Sequence, residues 1–179
     1  EIPYGVGSGT SQAACVPSTR LARGNEQLGP HLVYAGRMDE SIKRVGSLLE
    51  MSRELDALGV SHRLTMVGDG PAAASLKPGP SVTMMGGVAP HEVAARYASA
   101  DLFVLPSKAE GLSLAMLEAM RAGCIPIVTR VRSGAGQVVS HGINGMLVDG
   151  PDDLPREELG KRLAMAVRHI WNRGACEVA

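Results

Sequence analysis

Two carboxylates, Glu110 and Glu118, flank the stretch EGLSLAMLE, with one glycine, one serine and five apolar residues between them. In a plain core helix both acids would turn to water. Facing a polyhydroxylated ligand, both could instead accept hydrogen bonds from hydroxyls, which is what an ionised carboxylate does. Gly111 allows an unusual backbone conformation, and a helix is expected to begin near Leu112 or Ser113 and run over 112–122. The unpaired N–H groups of such a first turn form an anion site. Leu114 falls one turn before Glu118 on the same side, and Glu110 precedes the helix at the same mouth. Acids also favour helix N-termini through the helix dipole, and that bland account suffices for either one alone.

Cations stand at another strand end. In YAGRMDESIKR, Arg37 follows Gly36 and Lys43 falls early in the next expected helix. Arg offers a planar fork to phosphate oxygens and Lys a mobile point charge, so the two together suit a diphosphate. Either alone reads as a solvated surface residue. GDGP (68–71) reads as a turn whose glycines let a ligand approach the backbone closely. Gly86, Gly87 and Val88 offer exposed backbone to a nucleobase. An anion-binding helix start between two acids, with cations nearby, suits phosphate in the middle and hydroxyls at both ends. A nucleotide sugar has that layout. A dinucleotide-dependent dehydrogenase is disfavoured, because no G-x-G-x-x-G follows the first strand, and there is no P-loop.

The elements that must hold these residues alternate regularly. Strands are expected at 31–36, 63–68, 81–87, 101–107, 124–129 and 145–148. Helices are expected at 41–58, 90–99, 112–122, 134–141 and 153–172. The 41–58 helix places Ile42, Val45, Leu48, Leu49, Met51, Leu55 and Leu58 near helical spacing, and Gly59 can cap its end. Leu159, Leu163, Val167 and Ile170 make one stripe of the last helix. Strands alternating with helices mean a mainly parallel, Rossmann-like α/β sheet, with ligands outside the strands' carboxyl ends. The expected organisation is a linker or interdomain segment over 1–30, a nucleotide-sugar-binding domain over 31–150, and a C-terminal helix over 151–179.

Bulk composition narrows the partners. The 179 residues are 45% hydrophobic but only 3% aromatic, and formal net charge is zero. The core must be aliphatic, with methionines as fillers. Neither nucleic acid nor an anionic membrane is expected as a partner held by bulk charge. Cys15, Cys124 and Cys176 form neither a disulfide framework nor a zinc pattern, so free thiols in a reducing cytosol are expected. No apolar run approaches the ~20 residues of a membrane-spanning helix, and residues 1–30 show no apolar signal block. The chain starts at Glu1 rather than Met, as a processed piece would. The five histidines form no constellation, and His141 beside GING reads as a turn residue.

EGLSLAMLE followed by AMRAGCIPIV resembles the signature of retaining glycosyltransferases of the GT-B fold, the large group that includes sucrose-phosphate synthases. YAGRMDESIKR, MVGDGP, VTMMGGV, YASADLFVLPS and SHGINGMLV resemble its successive blocks in order, over about residues 31–149. The resemblance implies the C-terminal, donor-binding half of a two-domain hexosyltransferase, inactive alone without its N-terminal acceptor-binding half. Any peripheral membrane association would come through that other half. It implies that Arg37 and Lys43 hold the donor diphosphate, that Glu118 binds ribose hydroxyls and that Glu110 lies beside the transferred sugar. Arg37, Lys43 and Glu110 would be catalytic. Gly36, Gly86, Val88, Gly111, Leu112, Ser113 and Leu114 would complete the donor site. No metal or cofactor is implied, the location is cytoplasmic, and a UDP-sugar is the first donor to expect. Gln137 stands where many relatives carry an acid and receives no role. A GT-B nucleotide-sugar epimerase and a non-catalytic nucleotide-sugar-binding module remain as alternatives.

Overall fold

A computed structural model describes residues 29–131 and 134–176. The segment read as a linker therefore lies almost wholly outside the described residues. Six strands form one parallel sheet: β1 (His31–Ala35), β2 (Arg63–Val67), β3 (Val82–Met84), β4 (Leu102–Leu105), β5 (Ile125–Thr129) and β6 (Met146–Val148). The helices are α1 (Gly46–Ala57), α2 (Pro90–Ser99), α3 (Leu114–Arg121), α4 (Ala135–Val138) and α5 (Arg156–Cys176). A short 3-10 turn, Ala73–Ser75, is all that stands between β2 and β3.

The strand order is β3-β2-β1-β4-β5-β6. The chain works outward from β1 in one direction, then crosses back to β4 and works outward in the other. The crevice between the carboxyl ends of β1 and β4 is therefore the topological switch point, where such sheets bind ligands. Every residue of β1, β4 and β5 is buried, as both-sided helix cover requires. Leu32 pairs with Leu64 on one side and Leu102 on the other, so the centre is aliphatic. Tyr97 and Phe103, two of the few aromatics, meet edge to face with ring centroids 6.1 Å apart.

Several boundaries differ from the expected ones. The helix read over 41–58 starts only at Gly46. Asp39 accepts from the Ser41 hydroxyl (2.7 Å) and the Ile42 N–H (3.0 Å), which forms a turn. Arg44 then has φ +49°, outside the right-handed helical path. Lys43 accordingly lies in that turn, not in a helix, and Ile42 and Leu58 are exposed rather than part of the buried stripe. The strand read over 101–107 stops before Pro106, which lacks a ladder N–H. The strand over 81–87 ends at Met84, and Gly86 turns the chain with φ +68°. The helix read over 134–141 shortens to Ala135–Val138, and the last helix starts three residues later than expected, at Arg156.

Helix α5 packs on α1 at close range. A Cβ on Gly160 would lie 2.5 Å from the Glu50 Cβ and 2.9 Å from the Met51 nitrogen. Leu159, Leu163 and Val167 are fully buried along the contact. Met38, Met51, Met66 and Met116 fill the core, whereas Met165 is exposed.

Candidate functional site

The loop after β1 is built on backbone contacts. Gly36 N–H donates to the Val67 carbonyl (3.0 Å), Gly68 N–H to Gly86 (2.8 Å) and Met38 N–H to Asp69 (2.9 Å). A Cβ on Gly68 would sit 2.0 Å from the Gly36 carbonyl oxygen, and one on Gly70 2.5 Å from that of Met38. The glycines of GDGP thus serve the approach of one protein loop to another, rather than the ligand approach expected from sequence. The buried Tyr34 hydroxyl donates to the Arg37 carbonyl (2.7 Å). Burial raises the Tyr34 phenol well above its ordinary range, so it stays a neutral donor. The Arg37 side chain is 70% exposed at the crevice rim, 3.9 Å from the Asp39 carboxylate. Hydrogen bonds from the Ser41 hydroxyl, then from the Ile42 backbone, hold that carboxylate below its usual range.

Lys43 and Glu110 come together across the crevice. The Lys43 ammonium pairs with Glu110 Oε1, and the Ser107 hydroxyl donates to the same oxygen (2.7 Å). Lys108 N–H donates to the Ile42 carbonyl (2.7 Å), so the two loops are also tied through backbone.

Helix α3 starts at Leu114. Ser113 is its N-cap, accepting from Met116 N–H (3.3 Å). Gly111 does not take a positive φ, contrary to the expected unusual conformation. A Cβ there would meet nothing, so the glycine leaves open space at the mouth. Leu112 and Leu114 are exposed there. Ser113 to Glu118 covers roughly 7–8 Å of helix axis. Glu118 then lines a cleft of ≈ 690 Å³ between α2 and α3, with Val88, Pro90, Tyr97 and Arg121 among its walls. Gly86 and Val88 enter this neighbourhood because Gly86 turns the chain back toward α2.

Four contributors gave no strong signal in the sequence. Ser107 and Tyr34 each lie three residues before the group they contact, Glu110 and the Arg37 carbonyl, at the end of an apolar strand that gives them no separate signal. Arg44 reads as a second surface cation beside Lys43 but is buried. Arg121 falls one turn beyond Glu118, a spacing that would have found it. His141 is a turn residue: its Nδ1 accepts from Leu147 N–H (3.1 Å). Ser52, His62 and Asp56 mimic a hydrolytic triad. Yet Ser52 is buried, and His62 Nδ1 is nearer the Val60 carbonyl (3.0 Å) than Asp56 (3.7 Å). Among the described residues, no three His, Cys, Asp or Glu converge on a common metal position.

The sequence pattern of "Glycosyl transferases group 1" matches residues 29–168. The chain belongs to that family. Among curated relatives, the chain is 27% identical over a 202-position alignment to a D-inositol 3-phosphate glycosyltransferase of Pseudarthrobacter chlorophenolicus, covering 97% of the chain and 47% of the relative. It is 36% identical over 120 residues to a GDP-mannose-dependent alpha-mannosyltransferase of Corynebacterium glutamicum, covering 66% and 27%. The chain spans less than half the length of these relatives. Its Rossmann-like sheet matches GT-B glycosyltransferase structures. The pneumococcal O-GlcNAc transferase GtfA, solved with UDP and GlcNAc, aligns with TM-score 0.66 at 18% identity, over 85% of this chain and 31% of that one. The catalytic domain of a Helicobacter pylori cholesterol-alpha-glucosyltransferase aligns with TM-score 0.59 at 17% identity, over 83% and 96%. Among the described residues, no helix is long and apolar enough to cross a membrane.

Proposed function

We propose that this chain is the donor-binding half of a retaining glycosyltransferase that moves a hexosyl group from a nucleoside diphosphate sugar to an acceptor hydroxyl. One observation carries the reading. The Lys43–Glu110 pair closes the β1–β4 crevice at the start of α3, and Glu118 lines a cleft further along the same helix. A diphosphate at that helix start would meet its free N–H groups, Lys43 and the exposed Arg37. The ribose would then reach Glu118, and the sugar would lie beside Glu110.

Catalysis in this reading is electrostatic. Lys43, Arg37 and the α3 N-terminus stabilise the charge that builds on the departing diphosphate. The leaving phosphate takes the acceptor's proton on the same face, which retains the anomeric configuration. Glu110 is held by Lys43 and Ser107 and orients sugar hydroxyls rather than attacking the anomeric carbon. The acceptor site belongs to a further domain, in keeping with relatives more than twice as long, so this chain alone binds donor without sustained transfer.

The test is a calorimetric titration with UDP, GDP, ADP and dTDP, repeated with Glu118→Ala and Arg37→Ala. UDP remains the first choice. A GDP-mannose-dependent relative and a UDP-bound structural neighbour make UDP against GDP the informative comparison. Binding of one diphosphate, weakened about tenfold by either substitution, supports the site. Equal, unaltered affinity in both variants would remove these residues from it.

A further inference from the structure

We propose that Arg44 is a positioning residue for Lys43: it locks the turn carrying Lys43 onto the loop carrying Glu110, and so sets affinity for the diphosphate. The inference rests on the donor-site reading above. It starts from two unusual features of one residue. Arg44 is the one non-glycine described residue with positive φ, at +49°. That conformation crowds a Cβ against its own backbone. Its side chain is also buried, with the residue 3% exposed.

Among the described residues, no carboxylate lies within ion-pair distance of the guanidinium, although Asp152 and Glu40 act on it from further off. It donates instead to four carbonyls: Nε to Pro106 (2.7 Å), Nη2 to Ser107 (3.1 Å), and Nη1 to Gly150 and Pro151 (3.1 Å each). Three loops meet on this one side chain: the turn after β1, the loop after β4 and the loop after β6. The Ser107 carbonyl is also taken by the Thr129 hydroxyl at the end of β5. A planar fork with five N–H groups can span such a set; an ammonium on a flexible stem cannot.

The consequence falls on the neighbour. Lys43 precedes Arg44, and Ser107, whose carbonyl Arg44 holds, gives its hydroxyl to Glu110. Both members of the Lys43–Glu110 pair thus hang from the same buried fork. If the fork is lost, the turn at 41–45 is free to move away from the crevice, and the ammonium with it. Burial lowers the Arg44 pKa from its very high ordinary value, yet a guanidinium stays charged and keeps all five donors.

The experiment is a double-mutant cycle on the 179-residue chain, with Arg44→Lys made alone and in Lys43→Ala. Affinity for UDP and for GDP is measured by calorimetry, and stability by urea unfolding. The expected result is about a tenfold loss of diphosphate affinity from Arg44→Lys alone and no further loss when Lys43 is already alanine. Equal losses in both backgrounds, or unchanged affinity in the folded variant, would make Arg44 a purely structural staple and overturn the proposal. If Arg44→Lys does not fold, Arg44→Gly replaces it, since glycine takes the positive φ without strain. No binding of either diphosphate to the wild-type chain would instead sink the donor-site reading, and Arg44's role with it.

Discussion

Lys43 and Glu110 hold each other's charge, and Ser107 adds a hydrogen bond to the same carboxylate oxygen. In the proposed donor site a diphosphate would compete with Glu110 for Lys43, and Glu110 would then be released to accept from sugar hydroxyls. The two halves of a nucleoside diphosphate sugar would then bind with mutual support, each freeing the group that the other uses. This gives Glu110→Gln an unusual expected outcome. The neutral amide holds Lys43 less strongly, so affinity for the bare nucleoside diphosphate rises, by about fivefold for the ~1 kcal/mol of a partly exposed pair. Affinity for the intact sugar donor does not rise with it, because an amide accepts less well than a carboxylate from hydroxyls. Calorimetry with the diphosphate and its sugar ester, side by side, checks this. A fall of equal size for both ligands would show that Glu110 and Lys43 do not exchange partners.

At the scale of elements, the site depends on loops that fit against each other through bare backbone. Gly68, with φ +128°, stands where a Cβ would come within 2.0 Å of the Gly36 carbonyl oxygen. Gly68→Ala must therefore push the turn after β2 away from the loop that carries Arg37. The expected cost is about 2–4 kcal/mol in urea unfolding, as for a clash at a special backbone conformation. Gly87→Ala, where a Cβ meets nothing and φ is not positive, should change stability by less than about 1 kcal/mol and serves as the control. The strands and helices were readable from periodicity because all-buried strands such as LFVL and amphipathic helices such as α1 leave strong patterns. The motifs at strand ends fall at the carboxyl ends of β1 and β4, where the strand order reverses. The start of α1 was not readable. The apolar spacing of Ile42 and Val45 continues the helical pattern, while the turn is made by Asp39 side-chain bonds and by the positive φ of Arg44. The purpose of Gly68 was misread for a related reason: glycine in a strand-end turn looks the same whether a ligand or another loop approaches it. Arg44 could not be found from spacing, since its partners lie 62 to 107 residues away, whereas Ser107 lies three residues before Glu110 and was simply passed over.

At the scale of the whole molecule, the two ends of the sheet do different work. The carboxyl ends carry the exposed Arg37 and Glu118 and the half-buried Lys43–Glu110 pair. The opposite ends are closed by fixed polar contacts centred on His31. Its ring nitrogens face the Ser99 carbonyl and the Thr65 hydroxyl, each at 2.9 Å, and its backbone N–H donates to Asp101 (2.8 Å). In the neutral ring Nδ1 donates to the Ser99 carbonyl and Nε2 accepts from the Thr65 hydroxyl. Burial, the largest influence, lowers the His31 pKa; Arg63 and Arg96 lower it further, against the opposing effects of the Ser99 carbonyl and Asp101. A lowered pKa means that the unfolded chain binds the proton first. The stabilising contribution is complete above the ordinary value of 6.5 and is lost as pH falls below it toward the folded value. Unfolding free energy from urea titrations should thus decline from about pH 7.5 to about pH 5.5, with His31 contributing a slope of at most about 1.4 kcal/mol per pH unit. In His31→Gln the amide can donate to Ser99 and accept from Thr65 without titrating. The difference between wild type and variant should therefore shift steadily in the variant's favour as pH falls. A difference that stays constant across that range would mean that His31 takes up its proton without unfolding, and that this end of the sheet tolerates a charge.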